Sequence, residues 1–413
     1  ADSSPRLPKN PYFLYTCAFV NVLIKDISMA KHLIFNSLAL LALVACGGKA
    51  DEKPPNAASV PKSSIQTTLP ETASLKIYNW SDYVDPATVT AFDKKFQIKT
   101  SYSYYDSDES LEANVLSGKS GYDLVGPSNA FIGRQIKAGA YQKIDKSLIP
   151  NYKLVNPKLL EMMADIELAN EYSVPFFWGT NTFAINEDKV KSALGTDTLP
   201  ENQWDLVFNP KYTAKLKQCG ISYLDSAAEM YPMALHYLGK SPNSNQAEDI
   251  DAATQLLKQN RTNIKRFTSS GFINDLARGD MCVTVGFGGD LNIARRMAQD
   301  TSTKIKIKVM MPKEGVGIWV DSFAIPADAK NVLNAHRYIN YTLEPAVAAQ
   351  NGNFVTSAPS SSPARELMEA QYRDDNTIFP TDEDLKNSFL MIPFETEMLK
   401  KMVRNWQNIK AGR

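Results

Sequence analysis

The stretch from Leu75 to Tyr104, LKIYNWSDYVDPATVTAFDKKFQIKTSYSY, changes its hydrophobic period twice, and that change sets the fold class. Leu75-Lys76-Ile77-Tyr78 is a short apolar strand pattern. Asp85-Pro86 then supplies a helix N-cap and a first helical residue whose missing N–H is harmless there. Val89, Phe92 and Phe96 follow on one helical face, and alternation resumes at Ile98, Thr100, Tyr102 and Tyr104. A helix is predicted around Leu111 to Leu116 with Gly118 ending it, and YDLVGPS, Tyr122 to Ser128, reads as a buried strand. This β-α-β-α-β order predicts an α/β lobe with a largely parallel sheet, whose ligands meet the loops at the C-terminal ends of strands. Trp80, Ser81, Asp82, Tyr83 and Ser128 all fall at such ends.

Beyond Val174 the alternation of strand and helix patterns repeats. A strand is predicted at Phe183-Ala184-Ile185, helices near Met230 to Leu238 and Asp249 to Leu257, and another strand within MCVTVGFGGD, Met281 to Asp290. An apolar strand from Ile318 to Ile325 carries Trp319 and Asp321, and helical patterns close the chain from Val332 to Ile409. Two α/β lobes with a cleft between them accommodate this order. The expected division is 74–177 for the first lobe, 178–308 for the second, 309–344 returning to the first, and 345–413 as C-terminal helices mainly on the second.

The chain of 413 residues is 44% apolar and carries 45 basic and 45 acidic residues, so it lacks the bulk positive charge of a nucleic-acid surface. From Met29 the sequence MAKHLIFNSLALLALVAC has a lysine, a short apolar run and the lipobox-like Leu43-Val44-Ala45-Cys46. It reads as a signal peptide, 29–45, cleaved before a lipid-bearing Cys46. Residues 1–28 contain no methionine and read as upstream sequence absent from the mature protein. From residue 46 to 73 the chain is rich in Pro, Ser, Thr, Ala and Lys, the composition of a tether between a lipid and a folded body. Removing residues 1–45 leaves 41 basic against 43 acidic residues. In the body only Cys219 and Cys282 remain, and an exported chain with one such pair suggests a disulfide, against two buried free thiols.

Four carboxylates stand beside aromatic residues or at strand-to-helix corners: Asp82 by Trp80 and Tyr83, Glu229 by Tyr231, Asp290 by Phe287, and Asp321 by Trp319. Taken singly, each could be a helix cap or a solvated loop residue. Together they suit an organic cation, because an ammonium leaving water needs anionic partners and aromatic faces both attract it and cover its methylenes. Gly286-Phe287-Gly288-Gly289 lacks either phosphate-binding glycine spacing and instead suggests close backbone approach at a strand end. After the signal only His236 and His336 remain, both in apolar helical patterns, and no metal-ligand spacing, nucleophile elbow or cofactor motif appears. No catalytic residue, metal or cofactor is therefore expected. An enzyme using paired carboxylates such as Asp290 and Asp321 stays as the alternative from the residues alone.

The blocks YNWSDYVDPATV, GYDLVGPSNAF, KQCGISYLDSAAEMY, RFTSSGFINDL, INDLARGDMCVTVGFGGD and PKEGVGIWVDSFAIP together resemble the periplasmic polyamine-binding proteins of ABC transporters, the putrescine-binding branch in particular. The resemblance runs from about Leu75 to the C-terminus. It implies a two-lobed class II periplasmic-binding-protein fold, a monomer without catalysis that closes on putrescine or spermidine and delivers it to a membrane permease. A sensor that reports polyamines to a membrane signalling protein is the alternative within the same fold. The resemblance also implies that Trp80, Phe287 and Trp319 are aromatic walls, that Ser81, Asp82, Tyr83 and Ser128 are polar contacts, and that Glu229 faces them from the other lobe. Asp290 and Asp321 would hold an amino group, and Cys219 and Cys282 match a disulfide pair of putrescine-binding relatives. Two departures stand out: Phe287 replaces a usual Trp, and NGNFVTSAPSSSP leaves Val355 where a Tyr is usual. Trp319 is similar to spermidine-preferring relatives, whereas Asp82 and the nonacidic Ser226 are similar to the putrescine branch.

Overall fold

Leu75 and Ile77 are fully buried while Lys76 between them is exposed, so the alternation that predicts the first strand is the one that seats it. The computed structural model describes residues 72–81, 83–105, 107–269, 271–300 and 305–413. The predicted signal peptide, the lipid attachment at Cys46 and nearly all of the predicted tether lie outside them, as does Asp82. Thr72 donates from its N and its Oγ1 to Asn331 Oδ1, at 3.0 and 2.9 Å.

The strands, in chain order, are β1 (Ser74–Trp80), β2 (Lys99–Tyr105), β3 (Leu124–Val125), β4 (Tyr141–Gln142), β5 (Ser173–Asn186), β6 (Ile221–Tyr223), β7 (Arg266–Phe267), β8 (Val283–Phe287), β9 (Ile307–Val309), β10 (Gly317–Pro326), β11 (Ala358–Pro359) and β12 (Phe389–Leu390). They pair in the order β2-β1-β3-β10-β5-β8-β6-β7, with β4 and β12 on β10 and with β9 and β11 on β5. The largely parallel sheet expected for the first lobe is found, β1 pairing with β2 and β3 in parallel, and on the other flank β6 pairs β7 and β8 in parallel as well. The centre is antiparallel: β5 pairs β10 on one side and β8 on the other. Strand–helix–strand crossovers enforce parallel pairing within a half, but a strand that carries the chain across and another that brings it back must run in opposite directions. The 14-residue β5, SVPFFWGTNTFAIN, is buried along almost all of its length, as a central strand covered on both faces should be.

Local signals place the helices near their predicted positions. Asp85 caps the helix Pro86–Phe96 by accepting from Ala87 N at 2.8 Å, and Phe92 packs against Phe96 and Tyr338, each with ring centroids 4.9 Å apart. The predicted strand over Tyr122 to Ser128 shrinks to Leu124–Val125, because Ser128 already opens the helix Asn129–Lys137. The helix near Met230 runs Ala227–Tyr237, and the one near Asp249 runs Ala247–Asn260. Two apolar clusters fill the body, one around Phe92, Phe177 and Phe323, the other around Phe183, Trp204 and Phe272. Cys219 and Cys282 are joined by a disulfide with Cα atoms 5.4 Å apart, which ties the segment before β6 to the start of β8. Among the described residues no helix is long and apolar enough to cross a membrane.

Candidate functional site: a carboxylate cluster over the crossing strands

Three carboxylates sit in the first turn of a helix that follows a strand. Asp108 opens the helix Asp108–Leu116 after β2, Glu229 lies in Ala227–Tyr237 after β6, and Asp290 lies in Gly288–Asp300 after β8. At a helix N-terminus the exposed N–H groups and the macrodipole favour negative charge, which lets these side chains stay in poorly hydrated positions. Asp321 arrives differently. It lies inside β10, on the strand its sequence predicts, where the register with β5 shifts between Asp321 and Ser322. Such a bulge re-aims a side chain out of the regular alternation. Ser322 N donates to Pro127 O at 3.0 Å, and Ser128 is bridged antiparallel to Asp321 through the backbone.

The cluster is knit by hydrogen bonds to neutral partners. Tyr83 donates its hydroxyl to Asp321 Oδ2 at 2.6 Å, and Asn181 of β5 donates from Nδ2 to Glu229 Oε2. Ser128 donates from Oγ to Asp108 Oδ2 at 2.8 Å and from N to Asp108 Oδ1 at 3.3 Å. Burial raises the pKa of Asp321 well above the carboxylate range, with the charges of Asp108 and Glu229 adding to it and the Tyr83 bond opposing it. Burial pushes Glu229 up to about 7, reinforced by Asp108, and pushes Asp108 to about 7 against the Ser128 bonds. Asp290 rises to about 6 through burial alone. Burial and the negative charge of Asp321 also hold the Tyr83 phenol well above its ordinary range, and Asp290 contributes to that shift. None of these four carboxylates forms an ion pair with Lys or Arg among the described residues; Arg134 and Arg295 are engaged by Glu112 and Asp375 instead. Desolvated carboxylates with no cationic side chain beside them are chemically suited to a positively charged group.

Aromatic surfaces flank the cluster. Trp319 is 9% exposed and lies across β5 at Gly179, its register partner. A Cβ on Gly179 would stand 2.5 Å from Trp319 Cζ2, so the indole needs glycine beneath it. Phe287 ends β8 opposite Asn181, half-buried, and Trp80 ends β1 packed on Tyr105 with centroids 4.6 Å apart. The indole N–H groups of Trp80 and Trp319 and Asn181 Oδ1 are buried without a hydrogen-bond partner among the described residues. Ser81 is exposed at the turn after β1, and Val355 is half-buried at the end of the helix Pro345–Val355. The glycine run serves close approach, as expected: a Cβ on Gly286 would stand 2.8 Å from the Phe272 ring.

Hydrogen bonds and electrostatic coupling thus bring together Tyr83, Ser128, Glu229, Asp290 and Asp321 from the expected set, with Trp319 and Phe287 on the strands that flank β5. Asp108 and Asn181 join them unanticipated. Asp108 belongs to YYDSDESL, where Ser107 and Asp108 look like ordinary capping residues; its place directly after a strand, like that of Asp290, is the signal that could have found it. The histidines are engaged elsewhere: His236 Nε2 lies 2.6 Å from Glu314 O, and His336 Nε2 accepts from Asp145 N at 3.0 Å. Among the described residues no group of three or more His, Cys, Asp or Glu could hold a metal ion.

Residues 87–380 match the bacterial extracellular solute-binding protein family. The chain is 42% identical over 339 residues to the putrescine-binding periplasmic protein SpuD of Pseudomonas aeruginosa, covering 82% of this chain and 92% of that protein. It is 39% identical over 351 residues to the putrescine-binding periplasmic protein PotF of Escherichia coli, covering 85% and 95%. Among solved structures, a putative spermidine/putrescine ABC transporter protein of Listeria monocytogenes superposes with a TM-score of 0.71 at 29% identity, over 83% of this chain and 100% of that one. The spermidine/putrescine substrate-binding protein PotD of Streptococcus pneumoniae gives a TM-score of 0.69 at 26% identity, over 82% and 99%.

Proposed function

The chain belongs to the bacterial extracellular solute-binding proteins, and we propose that it is the polyamine-binding subunit of an ABC transporter, taking putrescine or spermidine outside the cytoplasm and presenting it to a membrane permease. Membership of a solute-binding family also answers the enzyme alternative. The observation that carries the ligand class is the set of Asp108, Glu229, Asp290 and Asp321, all desolvated and none paired with Lys or Arg among the described residues, the first two and Asp321 held by the neutral donors Ser128, Asn181 and Tyr83. A linear polyamine supplies the missing charges as ammonium groups and the missing apolar contact as methylenes.

In this reading Asp290 and Asp321 hold one ammonium, Glu229 faces it from the second lobe, and Trp80, Phe287 and Trp319 cover the methylenes. Ser81, Asp82, Tyr83 and Ser128 complete the polar contacts. The lobes comprise 74–177 with 309–344 and 178–308 with 345–413, and β5 and β10 are the connections about which they close. A ligand that touches both lobes shifts the population toward the closed form, which the permease recognises. The protein acts as a monomer, anchored by lipid on Cys46 after removal of the signal peptide. Two tests separate these statements. Titration with putrescine and spermidine, followed by intrinsic tryptophan fluorescence, should saturate below about 100 μM, and no binding below about millimolar concentration would overturn the ligand assignment. Cys46→Ser should release the protein from membranes; an unmodified residue 46 in the mature wild-type chain would refute the anchor.

A further inference from the structure

Ser128 is 8% exposed, and both of its polar hydrogens are directed at one carboxylate: Oγ–H at Asp108 Oδ2 and N–H at Asp108 Oδ1. A serine whose only hydroxyl proton is committed in this way presents its remaining lone pairs as acceptors. Because its donor is tied to an anion, the bond is charge-assisted and the orientation is held firmly. The backbone of Ser128 is in turn bridged to Asp321, so Asp108, Ser128 and the bulged strand form one unit. The charge of Asp108 is also felt at Glu229, which projects from a helix in the other half of the sheet order, and at Asp321. Asp108 is thus joined through Ser128 to the strand that carries Asp321, which accepts from Tyr83, and the negative charge of Asp290 also acts on Tyr83.

Two ammonium groups can neutralise two of these charges and leave the others repelling; a third amine gains from what remains. Resting on the polyamine reading above, we propose that Asp108 is a specificity-determining positioning residue, a carboxylate held on Ser128 whose charge makes this site favour a triamine over a diamine. Asparagine at 108 keeps an acceptor oxygen for Ser128 and the helix-opening position but removes the charge, which separates the electrostatic role from a structural one.

The test is the ratio of spermidine to putrescine affinity, measured calorimetrically on the parent, Asp108→Asn, Asp108→Ser and Asp108→Glu proteins. Either neutral variant should weaken spermidine about tenfold and putrescine less than about threefold, and two such variants keep the test readable if one fails to fold. Asp108→Glu should hold the ratio within about threefold of the parent. Equal losses for the two ligands in the neutral variants, an unchanged ratio, or a ratio lost equally in the glutamate variant would overturn this inference while leaving the polyamine reading intact. A parent protein that binds neither ligand would overturn both.

Discussion

Asp321 concentrates the chemistry of the site in one side chain. It is desolvated, repelled by Asp108 and Glu229, and stabilised by a single neutral donor, Tyr83. Removing its charge leaves a buried ammonium short of a charge-assisted bond, so Asp321→Asn should weaken polyamine binding by roughly 2 to 5 kcal/mol, about thirty-fold to several-thousand-fold. The same change should leave the melting temperature of the ligand-free protein unchanged or higher, because burial already disfavours the charged carboxylate there and an amide carries no such cost. Equal losses of binding and stability would contradict that division. The pKa shifts also predict opposite responses to pH. Asp108 and Glu229 titrate near 7 and Asp290 near 6 in the folded chain, above the roughly 4 of an unfolded one. Between those limits the native state binds more protons than the unfolded state, so these groups stabilise the ligand-free protein at pH 5 and lose that contribution as pH rises through 7. A polyamine needs the ionised forms, so its affinity should rise over the same interval, with protons released on binding near neutrality. Thermal melts and titrations at pH 5, 6 and 7.5 measure both; parallel trends would refute the assignment.

At the scale of elements, strand ends feeding helix N-termini deliver three carboxylates, a bulge delivers the fourth, and two antiparallel strands carry the surfaces between them. Gly179 permits Trp319 to lie flat across β5, so Gly179→Ala should displace the indole at a cost of about 1 to 3 kcal/mol and weaken binding through loss of a wall. Unaltered binding and melting would show that the indole can move freely. The disulfide has a separate role. Its partners are 63 residues apart and neither contributes to the carboxylate cluster, so reduction should lower the melting temperature, by up to ~4 kcal/mol of chain-entropy stabilisation, while binding changes little. Loss of binding without loss of stability would contradict this. Much at this scale was legible in the sequence, because the signals are local: the Asp85-Pro86 cap, the alternation of Leu75 and Ile77, and the apolar run of β10. The bulge at Asp321 was not legible, since register depends on a partner strand more than a hundred residues away. Asp108 escaped because its sequence context is that of any helix start, and only the fold brings Ser128 onto it.

For the whole molecule, the parallel pairing expected of the first lobe is present in β1, β2 and β3, but the antiparallel strands between the halves were not legible. Periodicity reports each strand but not the direction in which the chain returns, and β5 and β10 run antiparallel through the centre of the order. Two strands joining two halves favour a hinged closing motion on mechanical grounds, with bending at the crossings and each parallel flank staying packed. Small-angle scattering should therefore record a smaller radius of gyration with spermidine or putrescine than without, and an unchanged radius would argue against closure. The most direct measurement is a crystal structure of the protein with a bound polyamine. The account predicts one ammonium nitrogen within hydrogen-bonding distance of Asp321 and Asp290, with the alkyl chain against Trp319. A polyamine bound elsewhere, or in this site with Asp321 still bonded to Tyr83 alone, would contradict it.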